Sequence, residues 1–128
     1  MSQTPRIVLI GHCSADSSML KSAVRTAVPE AEFVSVTTDA DVHAAVDRAD
    51  LLLINRVLDG NFSNTSGLDL IDSVVTASPQ ARVMLVSNFA DAQQQAIERG
   101  ALPGIGKSTL RSPQTKERIR SAIQTEKA

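Results

Sequence analysis

The chain has 128 residues, 42% of them hydrophobic, and its 13 Lys and Arg residues nearly balance 14 Asp and Glu residues. This length predicts one compact domain over residues 1–128, with a core from about residue 5 to about residue 125. Tyr and Trp are absent and no basic patch alternates with aromatic residues, which argues against nucleic-acid binding. The apolar runs are too short for a bilayer and the N-terminal segment lacks the apolar region of a signal peptide, so we predict a cytoplasmic protein without membrane contact.

The hydrophobic pattern predicts strands that alternate with helices along the chain. Predicted strands lie at residues 6–11, 32–37, 51–54 and 81–86 and at a short segment around Ile105. Predicted helices lie at residues 14–27, 38–49, 68–78 and 91–99 and from Pro113 onward. Right-handed crossovers between parallel strands place helices on both faces of one sheet, which predicts a doubly wound (βα)5 fold of the α/β class.

Local signals mark where three of the helices begin or end. Thr38 followed by Asp41 resembles a capping box, and Gly100 has the usual place of a glycine after a helix. Ser112 before Pro113 is an N-cap residue followed by proline at the first helical position. These signals agree with the boundaries that the hydrophobic pattern gives.

Small or polar residues follow the predicted strands. Gly11 and His12 follow the run IVLI, Asn55 follows LLLI, and Ser87 follows VMLV. Lys107 comes just after the short fifth strand. Because the carboxyl ends of parallel strands line the ligand crevice of an open α/β sheet, we expect these residues to converge.

This series of residues resembles the receiver domain of response regulators, which has a flavodoxin-like sheet with strand order 2-1-3-4-5. In that family an acidic pair follows the first strand, an aspartate the third, Thr or Ser the fourth, and a lysine the fifth. Ser87 and Lys107 match the last two positions. Gly11 and His12 stand at the acidic pair, and Asn55 stands at the aspartate that accepts the phosphoryl group.

The resemblance implies a receiver without its usual chemistry. The carboxamide of Asn55 cannot form an acyl phosphate, and Gly11 and His12 supply no charge for Mg²⁺. Gly104 stands where the family has an aromatic residue that reports phosphorylation. We therefore predict no enzyme activity, no metal and no cofactor, and interpret the chain as an atypical receiver, or pseudo-receiver.

Lys107 needs a new partner when the family's carboxylates are missing, because burial of an unpaired charge is costly. We expect its ammonium to donate to the Asn55 side-chain oxygen and to strand-end carbonyls, with Asp59 as a charge partner. Two interpretations of the crevice stay open. Lys107, Ser87 and His12 form a weak anion site, or the crevice is filled by its own side chains, which we favour.

The predicted function is protein recognition in two-component-type signalling. The resemblance implies that another signalling protein docks on the fourth helix, fifth strand and fifth helix, residues 91–124, and a homodimer is a second option. The loop 56–66 is longer than most strand-to-helix connections and is a second candidate contact, with Phe62 either anchoring a partner or folding back over the crevice. The alternatives are a phosphorelay receiver that uses Asp59 and a binder of small ligands or anions.

Overall fold

The computed structural model describes residues 4–124, and these contain one parallel five-stranded sheet. The strands are β1 (Arg6–Ile10), β2 (Glu32–Val36), β3 (Leu51–Asn55), β4 (Val83–Val86) and β5 (Leu102–Ile105). Their order is β2-β1-β3-β4-β5, and each neighbouring pair is parallel. The predicted doubly wound α/β fold and its strand order are therefore confirmed.

A helix follows each strand. The helices are α1 (Ser14–Ala27), α2 (Asp39–Val46), α3 (Gly67–Ala77), α4 (Ala90–Glu98) and α5 (Pro113–Gln124), with a 3₁₀ turn at Lys107–Thr109 before α5. The second helix ends earlier than predicted, because Arg48 N donates to Ala45 O and Ala49 N donates to Val46 O. These bonds to the third residue back tighten the last turn into a 3₁₀ form.

The predicted helix caps are present. Thr38 Oγ1 accepts a hydrogen bond of 3.3 Å from Asp41 N, and Ser112 Oγ accepts one of 3.2 Å from Thr115 N. Gly100 follows α4 with a φ of +105°, a conformation that favours glycine. Each cap satisfies a backbone group that its helix leaves unpaired, so local sequence fixes these boundaries.

The sheet is covered on both faces, as its uniformly apolar central strands require. On one face, Leu20 and Val24 of α1 and Ile119 of α5 pack on the sheet. On the other, Val42 of α2 and Ile71 of α3 pack together with residues of α4. Burying each such side chain contributes about 1.5–3 kcal/mol. Within residues 4–124, no helix is long and apolar enough to span a membrane.

The long loop between β3 and α3 folds against the start of α2. Asn61 pairs with Thr38 in an isolated parallel bridge, and Ser63 N donates to Asp39 Oδ2 at 2.9 Å. Phe62 is only 8% exposed and belongs to the core that contains Val42. Both roles predicted for Phe62 were wrong, because a ring buried in the core is not available to a partner and does not line the crevice.

Candidate functional site

The carboxyl ends of β3, β4 and β5 enclose a small crevice of about 180 Å³. It is lined by Asn55, Arg56, Val57, Val86, Ser87, Asn88, Phe89 and Lys107. As the strand-end pattern predicted, Asn55, Ser87 and Lys107 come together, although they are far apart in the sequence. None of the lining residues is an Asp or a Glu.

Asn55 ends β3 and ties it to the loop that follows β1. Its Nδ2 donates to Gly11 O at 2.9 Å, and a carbonyl oxygen can only accept, so the amide nitrogen must face Gly11. Gly11 has a φ of +75°, and a Cβ there would lie 2.6 Å from Leu58 Cδ2. The loop backbone at residue 11 therefore packs against Leu58 only because this residue is glycine.

His12 is buried rather than free to bind a ligand. Its Nε2 lies 2.8 Å from Leu53 O, so this nitrogen carries the proton, and its buried Nδ1 has no hydrogen-bond partner. Burial lowers the pKa of His12, and the nearby Lys107 charge lowers it further, against the opposing effects of the Leu53 bond and Asp16. His12 is thus neutral near pH 7 and adds no positive charge to the crevice.

The lowered pKa of His12 predicts a loss of stability in mild acid. The unfolded chain takes up a proton near the ordinary pKa of about 6.5, whereas the folded chain resists it. The contribution of His12 is therefore full above pH 6.5 and decreases as the pH falls below it, by at most about 1.4 kcal/mol per pH unit. Urea unfolding between pH 7.5 and pH 5 measures this slope.

His12→Gln removes the titrating ring but can still donate to Leu53 O, so the slope should become shallower in this variant. His43 is exposed and supplies the matched control, His43→Gln, which should keep the slope of the original chain. Equal slopes in the original chain and in His12→Gln would contradict the prediction. The interval lies above the ordinary pKa values of Asp and Glu, about 3.9 and 4.3, so that the slope chiefly reports histidine.

Lys107 forms an ion pair with Asp16 of α1, with Nζ and Oδ2 2.7 Å apart. The predicted pairings of Lys107 with Asn55 and Asp59 were therefore wrong. The first turn of α1 begins at the same sheet edge as the crevice and brings Asp16 there, while Asp59 is exposed and binds Gly11 O only through its backbone N–H. The hydrogen bond from Lys107 lowers the pKa of Asp16, so this carboxyl group stays ionised near pH 7.

This ion pair lowers the positive charge that the crevice could offer to an anion. Asp16 neutralises Lys107 within the protein, and His12 is uncharged, so two of the three groups proposed for an anion site supply no net charge. Ser87 is buried, and its Oγ accepts a hydrogen bond of 3.1 Å from Phe89 N. Local backbone bonding therefore accounts for this hydroxyl.

Gln93 of α4 occupies the space beside Gly104. Its Nε2 donates to three carbonyl oxygens, those of Leu85 at 2.9 Å, Ser87 at 3.1 Å and Ile105 at 3.3 Å. A Cβ at residue 104 would collide with Leu85 O and with the Gln93 amide. The position where the family has its aromatic residue therefore has no room for any side chain.

The contact between Gln93 and the strand ends was difficult to predict from the sequence. Gln93 is the first of three consecutive glutamines, residues 93–95, and the sequence alone does not distinguish it from the other two. The available signal was its place beside Ala92 and Ala96, which are the buried residues of α4. A long amide next to two small buried residues can reach the sheet, whereas Gln94 and Gln95 are exposed.

An aromatic and a basic side chain lie at the mouth of the crevice. The Arg56 guanidinium carbon is 4.8 Å from the centre of the Phe89 ring, within the range of a cation–π interaction. Phe89 is 58% exposed and Val57 is 53% exposed. Arg56, Val57 and Phe89 thus line the mouth of the crevice, and the filling of the crevice by its own side chains stays a prediction.

The chain resembles response regulators of known structure. A response regulator from Thermotoga maritima is 17% identical with a TM-score of 0.75, covering 96% of this chain and 100% of that chain. The response regulator domain of Thermotoga maritima CheB is 18% identical with a TM-score of 0.72, covering 97% and 99%. A Burkholderia pseudomallei response regulator with a phosphorylated aspartic acid and a calcium ion is 18% identical with a TM-score of 0.64, covering 96% and 68%.

These similarities establish that the chain has the receiver fold. The sequence matches no protein-family model and no curated protein. The structural similarity therefore shows the fold alone, and the function depends on the residues at the site.

The residues at the strand ends do not suit the magnesium ion that receivers use. Mg²⁺ prefers anionic oxygen ligands, whereas Asn55 supplies a neutral amide and His12 is buried against Leu53 O. Asp16 is held by Lys107. Among residues 4–124, no group of three His, Cys, Asp or Glu side chains could hold a metal ion.

Proposed function

We propose that this chain is a pseudo-receiver, a cytoplasmic module of two-component-type signalling that binds other proteins and is not switched by aspartyl phosphorylation. The observation that carries the proposal is the environment of Asn55. A neutral carboxamide, bonded to Gly11 O, stands where phosphoryl transfer requires a nucleophilic carboxylate. The chain then acts through its surface, without catalysing a reaction.

The surroundings of Asn55 support the same proposal. Phosphoryl transfer depends on cations that neutralise the developing charge. The crevice has no carboxylate ligand for a metal and its lysine is paired with Asp16, which leaves the Arg56 guanidinium, stacked on Phe89, as the remaining cation of its lining. Asp59, the alternative acceptor, is exposed, and within residues 4–124 it belongs to no group of three His, Cys, Asp or Glu side chains that could hold a metal ion. The phosphorelay alternative therefore lacks the groups that its chemistry needs.

The docking surface proposed for a partner is the face formed by α4, β5 and α5. Gln93 joins α4 to the ends of β4 and β5, and Arg118 Nη1 of α5 donates to Gly104 O of β5 at 2.7 Å. These bonds need no phosphoryl group or ligand. We propose that the face therefore keeps one conformation that its partner recognises at all times.

Incubation with acetyl phosphate and Mg²⁺, followed by intact-mass measurement, tests the proposal. We expect no gain of about 80 Da, the mass of one phosphoryl group, because no carboxylate occupies position 55. The Burkholderia response regulator that contains a phosphorylated aspartic acid is the positive control. A stable mass gain would contradict the proposal, and its loss in Asp59→Asn would assign the modification to the alternative acceptor.

A further inference from the structure

The two faces of the molecule carry grooves of opposite charge. The first, which we call the basic groove, lies between α1 and the segment 107–116 and has a volume of about 1010 Å³. Its charged lining residues are Lys107, Arg111 and Lys116, and no Asp or Glu lines it. It lies on the side of the sheet that α1 and α5 cover.

The second, which we call the acidic groove, lies between α2 and α3 and has a volume of about 580 Å³. Its acidic lining residues are Asp39, Asp47 and Asp69, and no Lys or Arg lines it. Since α2 and α3 cover the face opposite to α1 and α5, the two grooves point in opposite directions.

Part of the charge in each groove is free to attract a partner. Asp16 neutralises Lys107, and Arg99 pairs with Asp69 at 3.2 Å. Within residues 4–124, the structure gives no ion pair to Arg111 or Lys116 in the basic groove, or to Asp47 in the acidic groove. Each groove thus keeps charge that its own neighbours do not compensate.

Apolar side chains also line both grooves. Met19 of α1 lines the basic groove and is 49% exposed. In the acidic groove, Leu70 is partly buried, while Val42 and Val74 belong to the core. The correspondence between the two grooves is therefore one of opposite charge.

We propose that the basic groove is occupied by the exposed edge of α2 from a second copy of this chain, which carries Asp39 and Asp47 at the rim of the acidic groove. Because the two surfaces differ and lie on opposite faces, the contact is heterologous and repeats from one copy to the next. The attraction between exposed charges makes it weak and dependent on ionic strength. The inference is independent of the proposed function, because Asn55 lies in neither groove.

Sedimentation velocity over a range of protein concentrations tests this assembly. We expect association in about 20 mM salt that disappears in about 0.5 M salt, where screening shortens the reach of the charges to a few ångströms. A chain that stays monomeric at every concentration in low salt would overturn the proposal. Binding of a polyglutamate peptide by such a monomer would assign the basic groove to an acidic partner instead.

A charge exchange identifies the surfaces that meet. Asp47→Lys and Lys116→Glu each place like charges opposite one another and should lower the association constant roughly tenfold or more. The double variant restores opposite charges and should recover association. Both substitutions suit their helices, because Asp47 caps the C-terminus of α2 and Lys116 lies near the N-terminus of α5. Glu98→Lys makes the same charge change as Asp47→Lys, but outside both grooves, and is the control.

Recovery in the double variant, with full association of Glu98→Lys, supports the head-to-tail contact. Single variants that associate as strongly as the original chain, or a double variant that stays as weak as the single ones, would overturn it. Circular dichroism checks that each variant is folded. The phosphorylation experiment above has no bearing on these outcomes, so failure of either proposal can be told from failure of the other.

Discussion

Replacing Gln93 by Glu is expected to destabilise the protein by about 2–4 kcal/mol. The Gln93 amide nitrogen donates to the carbonyl oxygens of Leu85, Ser87 and Ile105, and a carboxylate can only accept. The substitution therefore sets a negative charge against three acceptors, or forces the side chain out and removes the Gln93 donor from these carbonyls, of which Ile105 O keeps its bond from Ser87 N. Midpoints of urea unfolding at pH 7 measure the change.

The neighbouring glutamine supplies a matched control. Gln94 is exposed on the same helix, and Gln94→Glu makes the same chemical change, so its effect should stay within about 0.5 kcal/mol. We also expect faster amide hydrogen exchange in α4 of the Gln93 variant, because its anchor to β4 and β5 is lost. Equal midpoints for the two variants would mean that the Gln93 contacts contribute little.

Replacing Gly67 by Ala is expected to cost about 3–5 kcal/mol, a loss large enough to unfold many domains of this size. Gly67 begins α3, and a Cβ there would collide with the backbone carbonyl oxygen of Asn55 and lie 3.0 Å from Arg56 O. Both are backbone atoms at the end of β3, so they cannot rotate away. The methyl group must separate α3 from the strand that positions Asn55.

Thermal and urea unfolding measure the loss, and Gly106→Ala is the matched control. A Cβ at residue 106 would lie 2.8 Å from Asn88 Oδ1, the end of a side chain that can move, and the φ of Gly106 is −102°, which alanine adopts readily. We expect that variant to lose about 1 kcal/mol or less. A Gly67 variant as stable as the control would show that the start of α3 can shift without cost.

The arrangement of strands and helices could be predicted because each depends on local pattern. The apolar runs of β1, β3 and β4 are buried on both faces, so each stands out in the sequence as a continuous hydrophobic segment. Caps at Thr38 and Ser112 follow from the residues beside them. The meeting of Asn55, Ser87 and Lys107 follows in turn, because parallel strands end at one edge.

The side-chain partners could not be predicted, because they depend on how distant segments pack. Lys107 and Asp16 are separated by 91 positions, and nothing near Asp16 distinguishes it from the first-turn acid of an ordinary helix. Asp59 seemed the better partner because it is close to Asn55 in sequence, yet the loop turns its side chain to solvent. The hydrogen bonds of Gln93 could not be predicted for the same reason, since its three acceptors lie outside α4.

The lack of free space beside Gly104 affects how this protein can transmit a signal. The Gln93 amide and Leu85 O leave no volume for a rotating ring at this position, and under the proposed function the junction of α4 and β5 keeps one conformation. A signal is then not transmitted by a change in the conformation of each molecule. It depends instead on the concentration of the protein, which the cell sets through the rates of synthesis and degradation.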